Sequence, residues 1–223
     1  MSERRDLAVV LERSAPARSG DPRADILDAL VHTIALRGYD RTTIDRVLTA
    51  AEVSAPVFEE HFECKQDCLL AALDALIGAI ERAILVSADG AECWSEQVRV
   101  GLETLLGEFA ANPEAARVAL VESLGAGEPA ITRVRSAIAK TIPVLEVGRR
   151  RGDRAGAPAP KVEHLPPQTS EAVAGGIASI LHRRVLEGRT AELPALLPDL
   201  LYFALMPYLG HERALAASES VSS

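Results

Sequence analysis

His61, Cys64 and Cys68 stand at i, i+3 and i+7, the spacing at which an unbroken helix would present one imidazole and two thiols on one face. That donor set suits Zn²⁺, but a fourth ligand is missing and a helix break falls inside the set, so no metal is expected. Cys64 precedes a helix, where the helix dipole favours a thiolate; a cysteine in the place of a capping serine is the plainer reading. The five histidines, His32, His61, His164, His182 and His211, are scattered, and no Gly-x-Ser-x-Gly, glycine-rich phosphate loop or His-Glu-x-x-His occurs. The chain therefore reads as a binding protein, not an enzyme, with no catalytic residues and no cofactor. Arg149, Arg150, Arg151 and Arg154 cluster, but beside glycine and proline they read as a solvated loop.

Composition limits which elements hold these residues. Hydrophobic residues make up 48% and charged residues 25% of the 223, which excludes a wholly disordered or collagenous chain. Only eight residues are aromatic, so Ala, Leu, Val and Ile must build the core, and the fold class expected is all-α. The net charge of −8 excludes nucleic-acid binding through overall charge; any such role needs a local patch. An odd number of cysteines without an apolar N-terminal segment predicts reduced thiols in the cytoplasm. The most apolar stretch, Leu193 to Leu209, holds Asp199 and three prolines, so it reads as a buried or interface helix, and no membrane partner is expected.

Along the chain, residues 1–20 carry Arg4, Arg5, Arg13 and Arg18 without a lasting period and read as a mobile arm. Asp21-Pro22 then opens a first helix with an apolar face of Ile26, Ala29, Leu30, Thr33 and Ile34, ended by Gly38. Thr42 to Asp45 fits a capping box for a second helix, and Ser54 caps a third in which Phe58 and Phe62 face inward. This is a helix-turn-helix pattern over residues 21–67. A long fourth helix opens at Lys65 and runs to Asp89-Gly90. Further helices are expected over 95–111, 113–124, 128–147, 170–187 and 194–209, with a flexible loop over 149–168 and a second, all-helical domain over 68–223.

Ile26 to Leu73 resembles the DNA-binding domain of TetR-type bacterial repressors. The matching residues are Arg37-Gly38-Tyr39, Thr42-Thr43, Ala50-Ala51-Glu52-Val53-Ser54, Phe58, His61-Phe62, Lys65 and Leu69-Leu70-Ala71. The resemblance implies a ligand-responsive transcriptional repressor: a homodimer that binds double-stranded operator DNA and is released when a small, mostly apolar effector enters the second domain. It also implies a variable ligand cavity and a dimer formed by the last two helices. Polar and aromatic residues within the helices around that cavity are Trp94, Gln97, Phe109, Glu122, Ser123, Arg133 and His182. The dimer stripes are Ile177, Ile180, Leu181 and Arg184 on one helix and Leu200, Phe203, Ala204 and Pro207 on the other.

Three departures bear on DNA binding. Glu52 occupies a turn position that is usually glycine in the family. Val57 and Glu59 stand where family members commonly have Thr and a phosphate-contacting Tyr. Residues 23–68 hold five basic and nine acidic side chains, a net charge of −4. The groove-facing residues of the third helix, Ala55, Pro56, Val57, Glu59 and Glu60, include no Arg, Asn or Gln for base reading. Phosphate contacts then fall to the N-termini of the second and third helices with Ser54, to Thr42, Thr43, His61 and Lys65, and to the arm arginines. The rival reading is a dimeric helical ligand-binding or protein-interaction module whose helix-turn-helix has lost DNA affinity.

Overall fold

The computed structural model describes residues 20–151 and 165–220, and every regular element among them is helical. In chain order these are α1 (Pro22–Arg37), α2 (Ile44–Ala51), α3 (Ala55–Glu59), α4 (Lys65–Ser87), α5 (Trp94–Ala111), α6 (Pro113–Arg117), a π-helical turn (Val118–Glu122) and α7 (Ser123–Gly125). Then follow α8 (Glu128–Ala139), α9 (Ile142–Arg151), α10 (Thr169–Leu186), a 3-10 turn (Thr190–Leu196), α11 (Leu197–Leu209) and α12 (His211–Glu219). The expected arm, apart from Gly20, and residues 152–164 of the expected loop, with Arg154 and His164, lie outside the described residues.

Local signals act as the sequence indicates at several helix ends. Asp21 accepts the N–H of Arg23 at 3.0 Å with Pro22 in the first turn, and Gly38, at φ 83°, closes α1 by donating to the Ile34 carbonyl at 2.8 Å. Cys64 stands in for a serine cap, its sulfur accepting the N–H of Asp67 at 3.5 Å. Cys68, four residues on, is fully buried, and that burial pushes its thiol up to about 12.

Elsewhere tertiary contacts overrule local signals. The capping box does not form: Thr42 is buried and turns its hydroxyl back to the Gly38 carbonyl at 2.9 Å, so α2 starts at Ile44 with Thr43 as a cap that makes no side-chain bond. Ser54 caps α3 by position but likewise makes no side-chain bond. The single helix expected over 128–147 is two, because Pro143 has no N–H to continue α8 and Thr141 bonds the Ile138 carbonyl at 2.7 Å instead. Helix α9 then continues through Arg149 to Arg151, expected as loop; arginine is a good helix former. Beyond Gly210 the chain forms α12, where a weak apolar period gave no helix; Ala214 anchors it in the second core.

Two hydrophobic cores result. The first gathers Ile26, Leu30 and Ile34 of α1 with Val47, Phe58, Phe62, Leu69, Leu73 and Leu76; the Phe58 and Phe62 rings lie 5.6 Å apart. Its far side is closed by Ala115, Val118, Ala119, Ala126 and Ala130, small side chains that let α6, the π turn and α8 approach closely. The second core packs Leu102, Leu106 and Phe109 of α5 against Ile177 and Leu181 of α10 and Leu200, Leu201 and Leu205 of α11. Inside it Tyr208 bonds Ser170 at 2.8 Å, Ser170 donates to Glu146 at 2.6 Å, and Trp94 donates to the Val144 carbonyl at 2.7 Å. Helix α4 joins the two, with Leu69 to Leu76 in the first core and Ile80 against the second.

Glu52, between α2 and α3, is the sole non-glycine residue at positive φ among the described residues (φ 54°, ψ 39°). A left-handed conformation costs an L side chain about 1 kcal/mol. Glu52→Gly is expected to stabilise the protein by about that amount in chemical denaturation; a destabilised variant would mean that the side chain's own contacts outweigh the backbone strain.

Candidate nucleic-acid interface and its link to the second core

The first core dictates what α2 and α3 can show to solvent. With Val47, Ala51 and Phe58 turned inward, Ser54, Ala55, Pro56, Glu59, Glu60 and His61 are left exposed and Val57 half-buried. The outer face of the recognition helix is therefore the one expected, with two adjacent carboxylates on it. Thr43 is exposed beside it at the start of α2.

Two of the expected phosphate contacts are used otherwise. Thr42 spends its hydroxyl on Gly38 inside the fold. The Lys65 ammonium donates to the carbonyls of Tyr39 at 2.8 Å and Thr42 at 2.9 Å and lies 3.9 Å from the centre of the Tyr39 ring. Two of its three N–H donors are thus committed to the α1–α2 turn. Burial, assisted by Cys64 and Asp40, raises the Tyr39 hydroxyl above its ordinary value, so the ring under the ammonium is a neutral phenol.

The same turn is held from the other side by the second domain. Glu122, at the end of the π turn, is 14% exposed; one oxygen accepts the Tyr39 N–H at 3.1 Å and the other pairs with Arg117 at 3.0 Å. A side chain at Gly38 would come within 3.3 Å of that carboxylate, on a backbone already at positive φ, so glycine fits here on two counts. Two carbonyls before Glu122, Leu120 receives the Nδ1–H of His182 from α10 at 2.6 Å. A second link, from His32 to Glu114 at 2.9 Å, ties α1 to α6. A continuous set of hydrogen bonds therefore runs from α10 through the π turn to the loop that starts α2. Nothing local in the sequence points to it, since Tyr39 and Glu122 are 83 residues apart.

The residues expected around an effector are not gathered in one place. Trp94 and Phe109 are buried in the second core, Gln97 is exposed on α5, and Ser123 is buried with its hydroxyl on the Ala119 carbonyl at 2.6 Å. Arg133 makes a surface ion pair with Asp74 at 2.7 Å, and Glu122 and His182 serve the link just described. Four of the eight residues expected at a dimer interface, Ile177, Leu181, Leu200 and Ala204, are consumed by the protomer's own core, where α10 and α11 meet. The outer edge of the pair presents Ile180, Arg184 and Pro207, half-buried, with Phe203 at 38% and Met206 at 39% exposure. One side of the Phe203 ring lies on the backbone of Gly176, where an added Cβ would stand 3.0 Å from it.

Residues 26–72 match the family described as bacterial regulatory proteins, tetR family. Comparison with curated proteins finds no match. Among solved structures the chain is similar to the fatty acid degradation regulator FadR from Bacillus halodurans, with a TM-score of 0.72 at 18% identity over 85% of this chain and 97% of that one. It is similar to FadR from Bacillus subtilis, solved in complex with stearoyl-CoA, at 0.67 and 18% over 83% and 97%. A TetR family transcription regulator from Marinobacter aquaeolei VT8 follows at 0.59 and 21% over 80% and 94%. Identities this low speak for the fold alone. The helix-turn-helix geometry and the match over residues 26–72 together show that this segment is a helix-turn-helix domain like those of the tetR family of bacterial regulatory proteins, and the fold of the whole chain is similar to that of TetR-type regulators.

Proposed function

We propose that the protein is a homodimeric, effector-responsive repressor that binds double-stranded operator DNA through α2 and α3 and leaves it when a small, mostly apolar ligand enters the second core. The observation that carries this reading is the Glu122 joint. A ligand wedged among α5, α10 and α11 displaces α10, and with it His182, the π turn and the carboxylate on Tyr39. Lys65, the first residue of α4, grips the other side of the same turn, so movement of α4 acts on the same few residues. The recognition helices of the two protomers then change separation, and two half-sites one helical turn apart no longer fit both.

The second core supplies chiefly Leu, Val, Ile and Ala with Trp94 and Phe109, which favours an apolar effector. Together with the neighbour solved with stearoyl-CoA, this makes long-chain acyl-CoA thioesters the first class to assay. A second reading, a helical module without DNA affinity, is favoured by the exposed Glu59 and Glu60 on α3.

Genome-fragment selection with purified protein separates the two. An enriched fragment whose affinity falls steeply with salt, and which acyl-CoA releases, is expected; no enriched fragment at low salt supports the module. For the dimer, Phe203→Glu would bury an unpaired charge at the joint and is expected to give monomer or aggregate in sedimentation. A variant that remains a stable dimer removes this interface.

A further inference from the structure

Five basic residues lie within residues 23–68, and two are already engaged: Lys65 by two carbonyls, and Arg23, whose guanidinium lies 5.5 Å from the centre of the Phe62 ring. The other three, Arg37, Arg41 and Arg46, are all exposed, and they converge. Together with Leu36, Asp40 and Thr43 they line one open depression of about 490 Å³ between the end of α1 and the start of α2. Arg46 is held over it by a hydrogen bond from Nη1 to the Arg41 carbonyl, and no ion pair joins any of the three to a carboxylate among the described residues. Thr43 makes no side-chain bond to the first turn of α2, so the positive end of that helix also opens here. Three guanidinium groups against the single carboxylate of Asp40 make this the concentrated positive patch of an otherwise acidic module.

We propose that the Arg37, Arg41 and Arg46 depression is the phosphate-docking point through which this domain binds the DNA backbone. The proposal rests on the DNA-binding reading above. In a helix-turn-helix the first helix of the pair crosses the backbone while the second enters the major groove, which brings the start of α2 to the phosphates. Guanidinium forks suit phosphate oxygens, and the attraction is needed here because Glu59 and Glu60 repel the same strand. Affinity thus comes from the α1–α2 side of the motif, while α3 contributes shape and methyl contacts.

The test compares the full-length wild type with the Arg41→Ala/Arg46→Ala variant on the selected fragment and on an unrelated duplex of equal length, each titrated against salt. Loss of two phosphate contacts in each protomer, four per bound dimer, is expected to lower affinity roughly tenfold per arginine lost at 0.1 M salt and to flatten the slope of log K against log salt by about 3.6, on both duplexes. Arg135→Ala, an exposed arginine on α8, serves as a control with unchanged binding. Asp40→Asn is expected to strengthen binding on both duplexes, a gain that misfolding cannot imitate. Wild-type binding with an unchanged slope in the double variant overturns the docking point and leaves the DNA reading intact, as does a loss confined to the selected fragment. A wild type that binds no duplex even at low salt overturns both.

Discussion

The carboxylate of Glu122 on the backbone N–H of Tyr39 is the contact around which the molecule is organised. A charge-assisted hydrogen bond of this kind, largely withdrawn from water, contributes about 1.5–3 kcal/mol, far more than an exposed ion pair. Its position matters more than its strength. The α1–α2 turn is six residues of loop, from Gly38 to Thr43, and without outside support it would have only its own turn bonds to set where α2 begins. Glu122 from the second domain and Lys65 from α4 give it two external supports, one on the Tyr39 N–H and one on the Tyr39 and Thr42 carbonyls. The orientation of the helix-turn-helix is therefore a property of the whole fold and not of the three-helix module alone.

The two cores have different characters, and that difference suits the coupling proposed above. The first is sealed by five small residues from α6, the π turn, α8 and the link before α8, a close contact that leaves little room to absorb displacement. The second is built from long aliphatic side chains around Trp94, Phe109 and Tyr208, with a few internal polar bonds. Large side chains that repack can accept an apolar guest, whereas a seam of four alanines and a valine cannot. The π turn lies where the two regimes meet. Its carbonyl at Leu120 faces α10 and its carboxylate at Glu122 faces the α1–α2 turn, so the π turn directs two groups to different partners.

Much of this was legible in the residues and some was not, for one physical reason. Signals that act within four or five residues were readable: the Asp21-Pro22 start, the Gly38 stop and the Phe58 and Phe62 pair, while the unusual turn at Glu52 was flagged by the family resemblance alone. The apolar periods of α10 and α11 were readable too, but a period shows that a face is buried without saying by what. Ile177, Leu181, Leu200 and Ala204 were assigned to a second subunit and are covered by their own chain. Polar residues within apolar helices carried the same ambiguity. Glu122 and His182 were read as ligand contacts because no local feature reveals a partner in the α1–α2 turn or in the π turn. Lys65 and Thr42 were read as facing phosphate for the same reason, and their partners lie in the turn itself. The charge count of the module was plain from composition, whereas the convergence of three arginines on one depression required the fold.

Amide hydrogen exchange in Glu122→Ala tests the central claim without any ligand or DNA. If the second domain holds the α1–α2 turn through this carboxylate, exchange at Tyr39 should quicken by about tenfold or more, as expected for a loss of 1.5 kcal/mol or greater. Exchange at Thr42 should follow, while protection in the α5, α10 and α11 core stays as in the wild type. Unchanged protection at Tyr39 in the variant would contradict the account, because the turn would then be shown to hold itself.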